Sequence, residues 1–337
     1  MSPRATRTML ALGLLGVLAA PILRLAVTPL LAQAPLVPGD SGFVTHVSTG
    51  TISALFDLGS GTAVEPVAVT RTETTRGDAA AALAVVDQGL NVAVLSTLDR
   101  AVTADGRVIS AVSYRMAADR HSQALADCCG AQVAGVSPSM AGAGNPLRLA
   151  WFTPEAAYPY FDIVLLTPAQ MEYLGRDTVG GMAALKFQQA TTPTQVGTVL
   201  VPGRLVGADA DTAGAARMYS TIRTLWVDPT TGIILRRTER TLQTLRSAGG
   251  KDVLTLLAME LGTTPEQVDA LVQQARREGR PVLWAHAYGP VLCLAVGGVL
   301  LVAGISSLVA GSRHRRIESE FPDEPAGFGD LRSRAEE

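Results

Sequence analysis

Apolar residues concentrate in two long runs near the chain ends, and shorter alternating runs fill the region between them. The first run extends from Met9 to Val37, and the second, from Pro290 to Gly311, contains no charged residue. A helix needs about 20 consecutive apolar residues to cross the hydrocarbon core of a bilayer. The pattern therefore predicts transmembrane helices over residues 9–34 and 285–311, with a folded domain between them.

Basic residues beside the two runs predict the orientation of the chain. Arg4 and Arg7 precede the first run, and a basic cluster at residues 313–316 follows the second. Because cytoplasmic flanks carry an excess of arginine and lysine, both termini are predicted to lie in the cytoplasm, with the central domain outside the plasma membrane. Residues 1–8 form the predicted cytoplasmic N-terminus. Residues 312–337 form the predicted disordered cytoplasmic tail, because Glu318 to Glu337 is acidic and contains Pro and Gly.

A cleaved signal peptide is the alternative explanation of the first run. Ala32, Gln33 and Ala34 have the small-x-small spacing of a cleavage site. Pro35 would follow the cut, where we expect proline to impede the peptidase, and the run is long for a signal. We therefore expect the first helix to be retained.

The pattern over residues 35–250 predicts a β-rich domain. Short runs of alternating or β-branched residues are separated by turn signals such as Asp105-Gly106. Repeated hairpins of this kind are typical of a mostly antiparallel sandwich or open barrel. The main predicted strands cover residues 44–58, 64–75, 91–103, 108–116, 171–177, 182–190, 218–227 and 233–244.

Residues 251–279 are predicted to form a helical hairpin that packs on this sheet. Val253 to Leu261 is apolar on one face, and a second helix starts with Thr264 as N-cap. Gln267 is placed to close a capping box, and Gly279 ends the second helix. The predicted fold class is therefore membrane-anchored α+β, with a mostly antiparallel extracytoplasmic domain, a C-terminal helical hairpin and two flanking transmembrane helices.

Small residues recur at helical spacing along the second transmembrane helix. They are Gly297, Gly304, Ser307 and Gly311. Such a stripe lets another helix approach closely. The partner is either the first helix, through Gly16 and Ala20, or a second copy of the chain in a homo-oligomer. The ordinary abundance of glycine in membrane helices explains the stripe equally well.

No pattern in the chain points to an enzyme, a cofactor or a metal. His46, His121, His286 and His314 are far apart, and none lies beside a second ligand at metal spacing. The net charge is −2, so bulk electrostatics suggest no nucleic-acid partner. Hydrophobic residues make up 47% of the chain and charged residues 17%. This balance makes membrane lipid the predicted partner.

Cys128 and Cys129 are adjacent in sequence, which restricts their chemistry. Thiols outside the cytoplasm tend to oxidise, and Cys293 lies in the predicted second membrane helix. The sequence leaves three alternatives: a strained disulfide between neighbours, two buried thiols, or links between chains.

Several motifs taken together resemble a known family. Asp119-Arg120 leads to Cys128-Cys129, an aromatic motif follows, and a turn motif comes after it. The aromatic motif is Tyr158-Pro159-Tyr160-Phe161-Asp162, and the turn motif runs from Trp226 through Asp228 to Gly232. With a helix at each end, this order resembles the actinobacterial PorA-like family over residues 8–312. Phe161 stands where a Trp is expected, and His121-Ser122 where a Thr-Gly turn is expected.

The resemblance implies an envelope location and a pore-forming role, because the family is named after a channel-forming cell-wall protein of corynebacteria. It supplies no catalytic residues. We expect the motif residues to be structural, with aromatic rings covering a core edge and Asp162 capping or pairing nearby, with Arg120 as a candidate.

Three non-enzymatic functions follow, and the first expectation is a binding or carrier module for an envelope lipid or another hydrophobic ligand. A scaffold of the envelope explains the same features with fewer assumptions. The alternative is a porin-like channel acting as an oligomer. Strand charges such as Arg71, Glu73 and Arg76 argue against a membrane-embedded barrel, whose outer face must be apolar. A continuous tunnel in the domain would favour transport, and a solid core would favour scaffolding.

Overall fold

The computed structural model describes residues 3–39 and 41–320, and the chain divides into two compact units. One unit combines the two chain ends, and the other is Pro29–Leu283. Asp40 and the last 17 residues of the predicted disordered tail lie outside the described residues.

The unit built from the chain ends is helical. It contains α1 (Pro3–Ile22), which continues through a π-helical turn at Leu23–Val27 into α2 (Thr28–Leu31). The helices Arg4–Leu31 and Pro265–Ala310 are long and apolar enough to cross a membrane. Both predicted apolar helices are therefore present. The first begins before residue 9 and ends at Leu31, short of its predicted end, and the second begins before residue 285 and continues to Glu320. Residues 312–320, which were predicted to be disordered, are therefore helical.

Strands dominate the second unit, which also contains the short helix α3 (Ala79–Leu83). The described strands are β1 (Phe43–Asp57), β2 (Thr62–Val64), β3 (Val67–Gly77), β4 (Val92–Thr103), β5 (Val108–Asp119), β6 (Leu125–Ala126), β7 (Gln132–Val133), β8 (Tyr158–Asp162), β9 (Thr167–Val179), β10 (Met182–Pro202), β11 (Thr212–Val227), β12 (Ile234–Arg246) and β13 (Asp252–Thr263). Each predicted strand is confirmed, and most extend further than predicted.

The strands form a mostly antiparallel half-barrel. The order along the sheet is β6-β5-β4-β3-β1-β13-β12-β11-β10-β9-β8. Its two edges meet through one residue, because Gly144 bridges Ala124 beside β6 and Tyr160 in β8. The N–H of Gly144 donates to the carbonyl of Pro159, and the N–H of Phe161 donates to the carbonyl of Gly144 at 3.0 Å. The half-barrel is thus linked across its opening.

Glycine is required at this link. A Cβ on Gly144 would lie 2.2 Å from the ring of Tyr158, closer than any real contact. The absence of a side chain lets the connecting backbone run directly against the aromatic motif.

The predicted helical hairpin at residues 251–279 is wrong in its first half. Asp252–Thr263 is β13, which pairs with β1 on one side and β12 on the other. Leu257 and Leu261 point inward and are buried, whereas Glu260 points outward and is exposed. A short apolar run is compatible with the helical period of 3.6 residues and with the strand period of two. Hydrogen bonding to two neighbouring strands stabilises the strand conformation here.

The second half of the hairpin is a helix, α4 (Pro265–Leu283), and it starts as predicted. The N–H of Gln267 donates to the Thr264 hydroxyl at 3.2 Å. Gly279 does not end the helix, which passes without interruption through a π turn at Trp284–Tyr288 into α5 (Gly289–Glu320). Gly279 is buried in the Pro29–Leu283 unit, where a Cβ would lie 3.3 Å from Thr231, so close packing explains this glycine.

Candidate functional site

The inward-facing positions of the half-barrel are unusually polar. On β3, Arg71 and Glu73 are 9% and 5% exposed, whereas Thr72 and Thr74 between and after them are half-buried on the other face. Because successive strand residues point to opposite faces, spacing of two places both charges in the interior. Glu239 on β12 is buried in the same way.

Arg71 is the centre of the interior charges. Its guanidinium donates to both oxygens of Asp99, at 2.8 and 2.5 Å, in a bidentate pair. It also donates to Glu239 at 3.0 Å and to Glu73 at 3.4 Å. Glu73 and Asp99 lie directly opposite each other on β3 and β4, so Arg71 offsets a repulsion that the strand register imposes.

Arg223 on β11 extends the network toward the edge strand β8. It lies opposite Glu239 in the register and donates to both oxygens of that carboxylate at 3.1 Å. It also reaches Gln189 at 2.7 Å and Asp162 at 3.3 Å. The interior charge cluster is defined here as Arg71, Glu73, Asp99, Asp162, Gln189, Arg223, Arg237 and Glu239.

Two identical tripeptides, Arg71-Thr72-Glu73 and Arg237-Thr238-Glu239, form reciprocal ion pairs inside the sheet. Arg71 donates to Glu239, and Arg237 donates to Glu73 in return. β3 and β12 are separated in the sheet by β1 and β13, so the contact crosses the interior instead of following the hydrogen-bonded register. The cluster therefore fixes the curvature of the half-barrel.

The two glutamates are held in the ionised form. Burial raises the pKa of Glu73, but Arg237 and Arg71 outweigh burial and lower the pKa to about 2. Burial likewise raises the pKa of Glu239, and Arg223 and Arg71 again outweigh it and hold the pKa well below its usual range. Asp99 differs, because burial dominates and raises its pKa despite Arg71.

A polar interior beneath a β surface is the arrangement found in barrel lumens. Here the charges are paired with each other, and apolar residues on the same strands pack beside them. Val69, Ala101 and Leu261 form part of one apolar cluster, and Phe187 and Leu225 belong to another. The described interior is thus filled by side chains.

The outer face of the sheet is built to contact water. Arg240 and Glu260 pair there at 3.1 Å, with side chains 69% and 60% exposed. Arg76 and Arg100 are also exposed. A lipid-facing strand would carry an apolar band at these positions.

The aromatic motif forms the edge strand β8, and its acidic residue belongs to the cluster. The predicted pairing of Asp162 with Arg120 is wrong: Asp162 contacts Arg223 and Gln189, and Arg120 donates to the carbonyl of Ala34 at 2.6 Å. Asp162 points into the sheet interior, where it meets the cluster instead.

The other aromatic-motif residues pack around the same strand. Tyr160 lies beneath the guanidinium of Arg223, which is 5.0 Å from the ring centroid. Phe161 is fully buried in a separate core cluster, and Tyr158 packs beside Met171 and Phe187. Pro159 is exposed, which an edge strand tolerates.

The turn motif connects β11 to β12. Asp228 accepts hydrogen bonds from the N–H and the hydroxyl of Thr231, at 2.8 and 2.7 Å. Gly232 has φ +72°, and a Cβ there would lie 2.0 Å from the carbonyl oxygen of Leu149. The indole N–H of Trp226 donates to Asp177 at 2.7 Å. These contacts hold the turn.

Asp119 and the cysteine pair lie in the loops beside β5 and β6. Asp119 accepts from the backbone N–H groups of His121 and Ser122, which closes a tight turn. Cys128 and Cys129 are half-buried and bonded to each other. Of the three alternatives left by the sequence, the structure has the disulfide between neighbours.

The small-residue stripe of α5 packs against α1 within the helical unit. A Cβ on Gly297 would lie 2.8 Å from the carbonyl oxygen of Gly13, and one on Gly304 would lie 2.7 Å from Leu10. The Ser307 and Thr6 hydroxyls are 3.1 Å apart. The first helix is therefore a partner of the stripe. The side-chain surroundings of α5 are described only through Ala310, so the predicted contact of Gly311 lies outside them.

Sequence reasoning missed most of the charge cluster, including Asp99, Gln189, Arg223 and Glu239. It took Arg71 and Glu73 as evidence against a barrel, although both face inward. The signal was present as charges spaced by two within strands, repeated in the two Arg-Thr-Glu tripeptides.

The fold and its interior define a class of protein: a β half-barrel with a polar, charge-paired interior, carried on a chain with two long apolar helices. The chain matches the family model described as Porin PorA over residues 5–306, and it belongs to that family. The predicted family resemblance is confirmed. The family and the two apolar helices together indicate a membrane protein. Comparison with curated proteins finds no match.

Proposed function

We propose that the protein is a non-enzymatic, porin-like membrane protein of the cell envelope that forms a channel as an oligomer. Its two apolar helices anchor it in the plasma membrane with both termini in the cytoplasm. The β half-barrel lies outside the membrane and places its interior charge cluster beside the conduction path. Membership of the porin family and the interior charge cluster are the two supports for this proposal.

The interior charge cluster carries the proposal. A carrier for a hydrophobic ligand needs an apolar cavity, and the described interior contains three arginines and four carboxylates instead. Buried charges are costly, so an interior that served only as a core would use apolar residues of similar size. The cluster holds four carboxylates and three arginines, and this excess of negative charge favours cations nearby.

An oligomer is required because the described part of the chain offers two helices long and apolar enough to cross a membrane. Their exposed positions are occupied by large apolar residues such as Leu15, Leu25, Val291 and Val299, which suit lipid or another helix. Two such helices cannot enclose water. Several copies must therefore surround any aqueous path through the bilayer.

Planar-bilayer recording of the purified full chain tests this function. We expect discrete conductance steps with a preference for cations. Asp99→Asn removes an interior charge with a neutral isostere, and burial already raises the pKa of Asp99. It should reduce cation selectivity, measured as a shifted reversal potential, whereas Glu260→Gln on the outer face should not. The absence of conductance steps from correctly folded protein would remove the proposal.

The topology is tested separately. Tags at the two ends of the chain should both be protected by intact cells, and a tag in the exposed turn at Gly249 should be accessible. Ends that report opposite faces would contradict the proposed anchoring.

An envelope scaffold is the second candidate, favoured by the filled interior. It predicts stable partners in crosslinking and no conductance. The bilayer recording therefore separates it from the channel.

A further inference from the structure

The outer face of β3, β4 and β5 carries a groove with a different chemistry from the interior charge cluster. The groove has a volume of about 580 Å³. The register places Arg76, Ser96 and Arg115 in one row across the three strands. Thr74, Leu98 and Ser113 form the next row. The groove therefore presents two guanidinium groups, three hydroxyls and one apolar residue on a single face.

Arg115 lines one side of the groove, and hydrogen bonds to three groups hold its side chain in place. Its guanidinium donates to the carbonyl of Cys129 at 2.8 Å, to the hydroxyl of Ser96 at 3.0 Å and to Asp78 at 2.8 Å. Because Ser96 accepts from Arg115, its own O–H remains to donate to a ligand. Asp78 offsets the charge of Arg115.

Arg76 supplies the charge that is not offset. It is exposed, and in the described part of the chain it has no ion pair; its guanidinium lies 5.9 Å from the ring centroid of Phe43. Arg76, Arg100 and Arg115 face outward on these strands, and no acid is among the residues that line the groove. An anionic group is the complement of such a face.

The middle of the groove can contact parts of a ligand other than its anionic group. The side chain of Leu98 is 50% exposed in the middle of the row, and the Ser113 hydroxyl has no hydrogen-bond partner among the residues described. Neighbouring strands are about 4.8 Å apart, so Arg76 and Arg115 stand about 10 Å apart across the groove. A polyhydroxylated ring can lay its C–H face on Leu98 and reach hydroxyls on both sides.

We propose that this groove binds an anionic saccharide, a sugar unit that carries a phosphate or a carboxylate. The anionic group lies at Arg76 and Ser96, and the ring lies over Leu98 with Thr74 and Ser113 on its hydroxyls. This site is independent of the channel proposal, because it uses the outer face of the sheet.

Calorimetric titration of the full chain in phosphatidylcholine nanodiscs tests the site, with glucose 6-phosphate, glucose and inorganic phosphate as separate probes. We expect glucose 6-phosphate to bind more tightly than either of the other two. Arg76→Gln removes a charge-assisted hydrogen bond and should weaken binding by about tenfold or more. Ser113→Ala should weaken it less.

Arg100→Gln is the matched control. Arg100 is exposed on the same face, two residues along β4 from Leu98, but does not line the groove. Its replacement should leave the affinity unchanged. Equal weakening by both arginine variants, an unaffected Arg76→Gln, or equal binding of glucose and glucose 6-phosphate would overturn the proposal. Competition by vesicles containing phosphatidylinositol would assign the sugar to a lipid headgroup, and its absence would assign it to a soluble or polymer source.

Discussion

The guanidinium of Arg71 lies 3.0 Å from the carboxylate of Glu239, although 168 residues separate them along the chain. The reciprocal pair joins Arg237 to Glu73. Both contacts cross the interior of the half-barrel, so they connect the early strands to the late strands directly. The interior of the sheet is its electrostatic centre, and its ion pairs join the early and late strands in addition to the pairing of β1 with β13.

Glu239→Ala should destabilise the β unit strongly. The change leaves Arg71 and Arg223 buried without their shared partner, and loss of one member of a buried pair costs about 3–5 kcal/mol. Urea unfolding of the detergent-solubilised chain, followed by tryptophan fluorescence, measures the difference. Glu260→Ala breaks an exposed pair with Arg240 and should have only a small effect. Similar losses in both variants would show that the interior pairing does not hold the sheet.

Acid should weaken the fold in a defined pH range. Arg237 and Arg71 outweigh burial and lower the pKa of Glu73 from 4.5 to about 2, so the unfolded chain binds this proton more readily than the folded one. The stabilisation is complete above about pH 4.5 and is lost as the pH falls toward 2. Glu239 acts in the same direction, whereas the raised pKa of Asp99 acts against it.

Urea unfolding at pH 7, 4.5 and 3 tests this dependence. Glu73→Gln should be less stable at pH 7 but lose less of its free energy of unfolding between pH 4.5 and 3. Glu260→Gln should keep the wild-type slope. A Glu73→Gln slope as steep as that of the wild type would assign the acid sensitivity to other groups.

Two neighbouring glycines of α5 should respond differently to the same substitution. Gly297→Leu forces a side chain against α1, where a Cβ would already lie 2.8 Å from the Gly13 oxygen, and Gly298→Leu enters open space. Disulfide crosslinking between Thr6→Cys and Ser307→Cys, in a Cys293→Ser background, reports the helix pair because the two hydroxyls are 3.1 Å apart. Crosslinking should fall sharply in Gly297→Leu and persist in Gly298→Leu. If neither variant changes the yield, close packing at Gly297 is unimportant.

The cysteine pair makes a prediction about thiol counts. Maleimide should label only Cys293 in the chain denatured without reductant, because Cys128 and Cys129 are bonded to each other. A dithiol reductant should raise the count to three. Cys128→Ser should expose Cys129 to labelling without reductant. Labelling of Cys128 or Cys129 in the untreated chain would contradict the bond.

Local patterns were sufficient for much of the fold. The apolar runs at both ends are helices, and the turn at Ala104-Asp105-Gly106 joins β4 to β5 as predicted. These features depend on residues close together in sequence, where periodicity and turn chemistry act directly. The N-terminal end of α4 at Pro265 followed from its capping residue for the same reason.

The position of β13 depended on tertiary structure. Val253 to Leu261 fits a helical face as well as a strand, and the two flanking strands supplied the hydrogen bonds that decided it. The capping box was also incomplete, because the side chain of Gln267 accepts from the backbone of Val47 instead. A local sequence pattern cannot predict a hydrogen bond to a residue more than 200 positions away.

The sequence by itself determined that this chain has two membrane-length apolar helices, a series of antiparallel hairpins and membership of the Porin PorA family. The tertiary structure alone decided which strand faces point inward, and therefore that Arg71, Glu73, Arg223 and Glu239 meet in the interior. The physical reason is that alternation fixes only that two residues share a face. The curvature of the whole sheet and the burial of its paired charges determine which face becomes the inside.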